Sequence, residues 1–302
     1  MCFFSVIIPV YNREDLIHEA LDSVFAQTFQ DFEVIVVDDG STDGTVDALQ
    51  AYPEPVRIIE QENAGPGMAR NTGIEAAEGT YVAFLDSDDR WFPWTLSSFH
   101  KAVHDYDNPS FVTGKSISEG IHSYQKQPFT CYVHKDYLAT SSKNIQIFGC
   151  TCVVKRHLLE KVGGFSPRNI NGEDSDLWMK LGTADGFVQI ASPSIHIYRR
   201  HTDSAVSNLW RSYLGGIHMI QHEKKGCYPG GKERRLDRLR IITRHLRPKT
   251  LRLMNDGAHR KAWLLYKHTF RWNLELRRFR FLVGFPALFA AAVAKERLSV
   301  VS

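Results

Sequence analysis

The chain has 302 residues, of which 43% are hydrophobic and 24% are charged, a composition that indicates a globular protein able to bury a substantial core. Its length allows one large domain or two. The formal net charge of +3 conceals an asymmetry. Residues 210–302 contain 21 Lys and Arg against 6 Asp and Glu, a net charge of +15, whereas residues 1–209 contain 16 against 28, a net charge of −12. We therefore predict an acidic domain over residues 1–209 and a separate basic region over residues 210–302.

Several classes of protein are disfavoured by simple features of the chain. The five cysteines are odd in number and lack the paired spacing of a zinc site or a redox motif. The first residues, Met1–Ser5, have no basic segment of the kind that opens a secretory signal. The longest uncharged stretch, residues 281–294, has 14 residues, too few to span a bilayer as a helix but compatible with lying in its interface. We expect a cytoplasmic protein that is able to sit peripherally on the cytoplasmic face of the membrane.

Strand-like and helix-like segments alternate through the first 105 residues, which is the pattern of successive βαβ units around a parallel sheet. Four strands are predicted there: Ser5–Pro9, Glu33–Val37, Val56–Ile59 and Tyr81–Leu85. Four helices follow them in turn: Glu14–Gln27, residues 41–52, residues 65–77 and Pro93–Val103. The predicted fold class is therefore α/β, with a mostly parallel central sheet flanked by helices.

The pattern is weaker in the rest of the chain. Residues 110–143 show no clear period and remain unassigned. Three strands and two helices are predicted after them: Cys150–Val154, Phe187–Ile190 and Ile195–Tyr198 as strands, Arg156–Val162 and Glu173–Leu181 as helices. Beyond Asn208 the basic region is predicted to be helical, with examples at Arg234–Leu246 and Ala258–Phe270.

Acidic residues follow two of the predicted strands at the point where each strand ends. Asp38 and Asp39 follow the second strand, and Asp86 and Asp88 follow the fourth. The carboxyl ends of parallel strands lie along one edge of a sheet, which is where open α/β sheets bind ligands. Carboxylate oxygens suit hard or borderline cations such as Mg²⁺ or Mn²⁺. We therefore expect a cation at this edge that bridges a bound diphosphate.

Two helix starts add further candidate groups. A glycine-containing turn at Gly65–Gly67 opens a helix with Arg70 one turn along it, a position from which the guanidinium can reach a base or a phosphate. Glu173 and Asp174 begin another helix. Acids there serve either as partners of the helix dipole or as a general base.

Taken in order, these motifs resemble those of the family 2 glycosyltransferases. The segments that carry the resemblance are Val6–Asn12, Val36–Thr45, Asn63–Gly73, Phe84–Asp89, Val162–Phe165 and Gly172–Trp178, and the similarity ends near His201. It covers about the first 200 residues. The resemblance implies a GT-A fold, a nucleotide-diphosphate sugar as donor substrate, a divalent metal ion, Mn²⁺ or Mg²⁺, and inversion at the anomeric carbon by direct displacement.

The resemblance also implies a role for individual residues on the nucleotide side. Pro9, Val10 and Tyr11 would lie against the base and the ribose. Asp39 would accept a hydrogen bond from the base, and Arg70 would help to hold the nucleotide.

The metal side of the site is implied in the same way. Asp86 would contact the ribose or the metal, and Ser87 beside it belongs to the same nucleotide-binding set. Asp88 would be the principal ligand of the cation, with His201 as a second candidate ligand. The cation would act as a Lewis acid that neutralises charge on the leaving diphosphate.

For catalysis, the resemblance implies that Asp174 takes the proton from the acceptor hydroxyl and that Glu173 supports it. Processive members of the family carry a Gln-x-x-Arg-Trp motif followed by membrane-spanning helices. The nearest segment here, His268–Trp272, has histidine where glutamine is required and lies far downstream of the similarity. Addition of a single sugar is therefore expected.

The predicted function is a metal-dependent, inverting, non-processive glycosyltransferase whose nucleotide-binding part is residues 1–105 and whose acceptor-side part is residues 106–209. We expect a UDP-sugar or another nucleotide-sugar as donor. The expected acceptor is a saccharide or lipid-linked saccharide in bacterial surface polysaccharide synthesis. Two alternatives stay open: a nucleotide-sugar-binding protein without turnover, and a nucleotidyltransferase, which also uses paired acids and a metal.

The partners of the basic region also stay open. Its charge suits an anionic membrane surface, where each basic residue contributes about 1 kcal/mol. The alternatives are packing against the catalytic domain and a homodimer contact. Nucleic acid is not expected as a partner, because no DNA- or RNA-binding motif is visible and the first domain is acidic.

Overall fold

The computed structural model describes residues 2–120, 127–143, 145, 147, 149–199 and 208–301, with side chains described as far as residue 294. The chain divides into two compact units. The first consists of Met1–Tyr137, Ile145–Asn169 and Glu173–Thr202, and the second of Leu138–Asn144, Ile170–Gly172 and Asp203–Ser302. The domain boundary placed after residue 209 stays a prediction.

The first unit contains nine described strands and six described α-helices. The strands are β1 (Phe4–Val10), β2 (Phe32–Asp38), β3 (Arg57–Glu60), β4 (Tyr81–Phe84), β5 (Arg90–Trp91), β6 (Phe111–Ser118), β7 (Thr130–His134), β8 (Cys152–Lys155) and β9 (Phe187–Tyr198). The helices are α1 (Ile17–Phe25), α2 (Thr45–Gln50), α3 (Pro66–Ala76), α4 (Thr95–Asp105), α5 (Arg156–Val162) and α6 (Glu173–Lys180).

All nine strands form one sheet in the order β3-β2-β1-β4-β8-β6-β9-β5, with β7 paired to β9. The strands of the first 105 residues that follow the βαβ pattern, β1 to β4, pair in parallel. Beyond β4 the sheet is mixed, because β8 runs antiparallel to both β4 and β6 while β6 and β9 are parallel. The predicted α/β sheet flanked by helices is confirmed, and its parallel part is the segment in which sequence periodicity was clear.

β1 lies at the centre of the parallel part and is buried along its whole length. A strand covered on both faces requires a continuous apolar run, which explains why this segment shows no alternation of polar residues. Gly73 permits the close approach of α3, because a Cβ atom there would lie 2.4 Å from Ile7 Cγ2. Helix α3, which carries Arg70, is therefore held directly against β1.

Two local predictions differ from the structure, and one unassigned segment contains strands. The two predicted strands at 187–198 form one strand, β9, which pairs with β6 on one side and with β7 on the other. Cys150 lies in a 3₁₀ turn just before β8 rather than in the strand. The unassigned segment 110–143 contains β6 and β7, whose partner strands β8 and β9 begin only at Cys152 and Phe187, so local sequence carries no signal of the pairing.

The second unit contains four described helices: α7 (Leu209–Lys225), α8 (Arg235–Asn255), α9 (His259–Glu275) and α10 (Phe279–Val301). Helix α8 continues past Leu246, where the sequence predicted its end, and through Pro248 to Asn255, and the later residues Leu253 and Met254 are buried. Tyr266 links α9 to α10, since its hydroxyl donates to the Leu282 carbonyl at 2.8 Å. None of the described helices combines the length and apolarity needed to cross a membrane.

The buried position of β1 gives a test of the fold. We expect Ile8→Ala to lower the free energy of unfolding by about 2–5 kcal/mol, because it leaves a cavity where the side chain is fully buried. Val133 on β7 is exposed, so Val133→Ala is expected to cost less than about 1 kcal/mol. Urea unfolding followed by tryptophan fluorescence would measure both. Equal losses would contradict the placement of β1 at the core.

Candidate active site

The predicted acidic edge is present in the structure. β2 and β4 both lie beside β1 and run parallel to it, so their carboxyl ends face the same edge of the sheet. Val10 pairs with Asp38, and the Asp39 amide donates to the Val10 carbonyl at 2.8 Å. The acids that follow β2 and β4 therefore share this edge with the residues that end β1.

The residues after β1 are tied to those after β2. Asn12 adopts the left-handed conformation with φ of 52°, which asparagine tolerates better than most residues. Its amide donates to Ser41 Oγ at 2.9 Å, and its side-chain oxygen accepts from the Thr42 amide at 2.8 Å. Pro9 and Val10 are buried, whereas Tyr11 is 45% exposed. The linked loops thus present an open aromatic ring at the sheet edge.

Asp39 organises the turn that opens α3. Its carboxylate accepts hydrogen bonds from Gln61 Nε2 at 2.7 Å, from the Ala64 amide at 2.9 Å and from the Gly65 amide at 2.8 Å. The side chain is only 3% exposed. A carboxylate offers about four lone-pair sites, so three bonds leave room for one more donor such as a nucleotide base. The side chain that holds this turn is also the one predicted to contact the base.

Arg70 joins two parts of the site through one buried guanidinium. Its Nη2 lies 2.6 Å from Asp86 Oδ1, its Nη1 lies 3.0 Å from Glu173 Oε1, and the side chain packs over the Phe165 ring. Burial lowers the pKa of Arg70, but the negative charges of Asp86 and Glu173 outweigh burial and raise it overall. The guanidinium is permanently charged and bridges an acid after β4 to an acid at the start of α6.

The acid pair at the start of α6 has two different environments. Glu173 is engaged by Arg70, whereas Asp174 Oδ1 accepts from the Ser175 amide at 2.6 Å and from Ser175 Oγ at 3.2 Å. These bonds orient the Asp174 carboxylate at the first turn of the helix, where the dipole favours negative charge. Asp174 also contributes to the field that raises the pKa of Arg70. Both acids of the pair thus act on the same guanidinium.

The loop after β4 carries the acids predicted to hold a metal ion. Asp88 Oδ2 lies 3.6 Å from Arg13 Nη2, and Ser87 between the two acids is buried. Asp86 and Asp88 are both partly open to solvent and offer only oxygen atoms. Hard divalent cations prefer this donor set, so the residues present fit Mg²⁺ or Mn²⁺. His201, the second candidate ligand, lies outside the described residues.

A buried network behind this loop was not foreseen from the sequence. His196 Nε2 lies 2.9 Å from Asp89 Oδ2, and because a carboxylate only accepts, this nitrogen carries the proton. His196 Nδ1 is 2.8 Å from Ser116 Oγ, and the Arg199 amide donates to Asp89 Oδ1 at 2.9 Å. Asp89 and His196 are 107 residues apart in sequence, so no local pattern announces the pair.

Cys150 lies beside this network, but Asp89 and His196 are already hydrogen-bonded and do not make a ready metal site with it. The ligand atoms of Asp89, Cys150 and His196 lie within 4.8 Å of one another. Both imidazole nitrogens and both carboxylate oxygens already have hydrogen-bond partners. Burial raises the pKa of the Cys150 thiol well above its usual range, and Asp86 and Asp89 add to the effect. A neutral thiol is a weak metal ligand.

Comparison with known proteins agrees with these motifs. Residues 5–163 match the family model described as Glycosyl transferase family 2. The putative teichuronic acid biosynthesis glycosyltransferase TuaG of Bacillus subtilis is 33% identical over 217 residues, which cover 69% of this chain and 83% of TuaG. The chain spans 58% of the length of two uncharacterized Rickettsia glycosyltransferases, with 33% and 32% identity.

Solved structures show the same fold. S. aureus TarS 1–349 in complex with UDP-GlcNAc superposes with a TM-score of 0.67 at 24% identity, covering 81% of this chain and 71% of that one. Mannosyltransferase PcManGT from Pyrobaculum calidifontis, in complex with GDP-Man and Mn2+, gives a TM-score of 0.56 at 22% identity over 97% of this chain and 86% of that one. The predicted GT-A fold is confirmed.

The network behind the acidic loop gives a test of the site's packing. We expect His196→Ala to lower the free energy of unfolding by about 1–3 kcal/mol, because it leaves the buried Asp89 carboxylate without one of its donors. His104→Ala is the matched control, since that histidine contacts Asp105 on the surface and its loss should cost less than about 0.5 kcal/mol. Thermal unfolding of both variants would measure the two losses of stability. No loss of stability in His196→Ala would contradict the network.

Proposed function

The chain belongs to glycosyl transferase family 2, and from that premise we propose that it is a metal-dependent, inverting glycosyltransferase that moves one sugar from a nucleotide-diphosphate sugar to an acceptor hydroxyl. The observation that carries the proposal is the Arg70 bridge. It joins Asp86, on the side proposed for the nucleotide and metal, to Glu173, next to the proposed base. One buried guanidinium that contacts both the proposed donor side and the proposed acceptor side suits the transfer of a group between two bound substrates.

For the donor we propose a UDP-sugar. TarS has been solved with UDP-GlcNAc and with UDP, and PcManGT with GDP-Man, so GDP-sugars are the nearest alternative. In this chain the exposed ring of Tyr11 is suited to stack on a base, with Pro9 and Val10 forming the strand end beneath it. Asp39 would accept the base N–H with its remaining lone-pair site.

For the chemistry we propose a single displacement with Asp174 as general base. The acceptor oxygen forms a bond to the anomeric carbon on the face opposite the diphosphate, and the carbon–oxygen bond to the diphosphate breaks. The hydroxyl proton passes to the Asp174 carboxylate, whose orientation is fixed by Ser175. Glu173, held by Arg70, keeps the start of α6 in place.

The leaving diphosphate requires positive charge. Asp88, with Asp86 beside it, would hold the divalent cation, and His201 remains a proposed additional ligand. Bound there, the cation would supply Lewis-acid neutralisation of the departing diphosphate. Arg13, 3.6 Å from Asp88, adds a fixed positive charge at the same loop.

We propose a saccharide or lipid-linked saccharide as acceptor, in the synthesis of a bacterial surface polysaccharide. TuaG is named for teichuronic acid biosynthesis and the Rhizobium meliloti relative ExoW for succinoglycan biosynthesis, which supports this class. The net charge of +15 in residues 210–302 supports peripheral contact with an anionic membrane, which would bring a lipid-linked acceptor within reach. Addition of a single sugar, rather than processive synthesis, is part of the proposal.

The decisive experiment is nucleoside diphosphate release from a panel of UDP-, GDP- and dTDP-sugars with Mn²⁺ or Mg²⁺. We expect one donor to be cleaved, slowly without acceptor, and the release to stop when EDTA removes the metal. Asp88→Ala should abolish it, whereas Asp47→Ala, an exposed acid on α2, should leave it unchanged. Release of pyrophosphate would favour a nucleotidyltransferase. Donor binding without any release, even with a membrane extract supplying acceptor, would favour a binding protein.

A second prediction isolates the proposed base. We expect Asp174→Asn to lower kcat about 10²–10⁴-fold, because an amide cannot take the acceptor proton, while donor affinity changes little. Asp47→Asn makes the same substitution in the first turn of α2 and should leave kcat unaltered. Steady-state kinetics and donor binding of both variants provide the measurement. A decrease in kcat of less than tenfold for Asp174→Asn would show that Asp174 is not the base.

A further inference from the structure

Residues 86–89, between β4 and β5, form a closed turn. The Asp89 amide donates to the Asp86 carbonyl at 3.1 Å, so Ser87 and Asp88 are the two central residues of the turn. Asp88 is the residue proposed as the principal metal ligand. The path of a four-residue turn is set by its two ends, so the place of the Asp88 carboxylate depends on how Asp86 and Asp89 are held.

The front end of this turn is anchored to the parallel part of the sheet. The Leu85 amide donates to the Ile7 carbonyl at 3.1 Å, which continues the pairing of β4 with β1. Asp86 Oδ1 lies 2.6 Å from Arg70 Nη2. Backbone pairing and one ion pair thus fix the residue at which the turn begins.

The back end depends on the side chain of Asp89. β5 follows directly and has two residues, which is below the usual length of a strand. Asp89 Oδ2 lies 2.9 Å from His196 Nε2, and Asp89 Oδ1 accepts from the Arg199 amide at 2.9 Å. Asp89 is 2% exposed and His196 is fully buried. One buried carboxylate therefore clamps the end of the turn at two points, to β9 and to the residue that follows β9.

His196 is itself oriented from the neighbouring strand. Its Nδ1 lies 2.8 Å from Ser116 Oγ on β6. The register between β6 and β9 shifts twice just before Ser116, which brings this serine opposite His196. Irregularities of this kind re-aim side chains and are frequent next to active sites. Ser116, His196 and Asp89 thus form one chain of hydrogen bonds from β6 to the turn.

Backbone pairing already places β9 in the sheet without this chain of hydrogen bonds. The strand pairs with β6 along its length and with β7 over its first half. A buried carboxylate costs free energy relative to a well-packed apolar side chain, and the best use of such a group is to select one geometry. What the Asp89 clamp adds to the strand pairing is a fixed position for the turn that carries Asp88.

We propose that Asp89 and His196 are positioning residues for the metal site, which hold the turn so that Asp88 is in place to receive the cation. They act through the backbone of the turn and not as ligands. Removing a partner of this kind typically weakens metal binding about 10–100-fold, because the ligand it oriented must then be ordered when the metal binds. The inference rests on the proposed function, since Asp88 is a metal ligand only there.

The test measures Mn²⁺ binding to the full chain, alone and with excess UDP, from the electron paramagnetic resonance signal of free Mn²⁺. We expect His196→Phe, which keeps a ring but removes both nitrogens, to weaken Mn²⁺ binding about tenfold or more. His196→Gln offers an amide N–H near the place of Nε2, so its Kd should stay within about threefold of that of the wild type. An amide N–H has no lone pair for a metal, so failure of glutamine to restore binding would overturn the positioning role.

Tyr81→Phe is the matched control. The Tyr81 hydroxyl is buried and donates to the Pro109 carbonyl at 2.8 Å, and Tyr81 begins β4 at the end remote from the turn. Loss of this buried hydrogen bond should leave the Kd for Mn²⁺ within about twofold of the wild-type value. Binding is compared at a temperature at which thermal unfolding shows the variants to be folded. Equal weakening in Tyr81→Phe and His196→Phe would mean a general loss of order and would overturn the proposal.

A smaller change of the same network stands in if His196→Phe does not fold. Ser116→Ala removes the hydroxyl that orients His196 and is expected to weaken Mn²⁺ binding at least about threefold. Unaltered affinity in that variant would count against the proposal.

Kinetics give a second readout. In His196→Phe the Mn²⁺ concentration for half-maximal diphosphate release should rise with the Kd, while kcat at saturating Mn²⁺ falls much less. A fall in kcat with an unchanged Mn²⁺ requirement would overturn the positioning role.

The outcomes separate this inference from the proposed function. If the wild type and His196→Phe bind Mn²⁺ equally well, only this inference is lost. If the wild type binds no Mn²⁺ with or without UDP, the metal dependence in the proposed function is lost and the inference with it. If Mn²⁺ binds and depends on His196 but no donor is cleaved, the proposed transfer is lost and the positioning role of His196 is retained.

Discussion

Arg70 holds a charged guanidinium at 6% exposure between Asp86 and Glu173, and the geometry of the whole site depends on it. Moving an ion out of water costs several kcal/mol, so the charge is tolerable only because two carboxylates and the Phe165 ring compensate it. The same bonds constrain the two acids. Asp86 cannot shift without disturbing Glu173, and the spacing between the loop after β4 and the start of α6 is thereby fixed.

This constraint is transmitted to the sheet by α3. Gly73 lets the helix lie directly on β1, and Asp39 holds the turn from which the helix begins. A helix seated in this way delivers Arg70 to a fixed height above the sheet edge. The Arg70 guanidinium, the turn before α3 and the strand ends therefore form one rigid assembly. The acids after β2 and β4 take their positions from the register of the strands and not from contacts with one another.

The sequence predicted the parallel part of this assembly because local signals suffice there. Apolar runs that end in acid indicated β2 and β4, and a glycine-rich turn indicated the start of α3. The sequence could not show that Arg70 forms ion pairs with Asp86 and Glu173, since Arg70 and Glu173 are 103 residues apart. The Asp89–His196 pair was missed for the same reason. The local sequence around a histidine in a strand does not show whether that histidine is buried or exposed.

The two nearby acids at the start of α6 have different hydrogen-bond partners. Glu173 Oε1 lies 3.0 Å from Nη1 of Arg70, so its carboxylate is held in place by a direct ion pair. Asp174 Oδ1 accepts hydrogen bonds from the amide and the hydroxyl of Ser175, which orient its carboxylate, and its negative charge is among those that raise the pKa of Arg70. A general base must be oriented and still negative. In the proposed mechanism Glu173, paired with Arg70, is therefore the positioning residue, and Asp174, oriented by Ser175, is the proposed base.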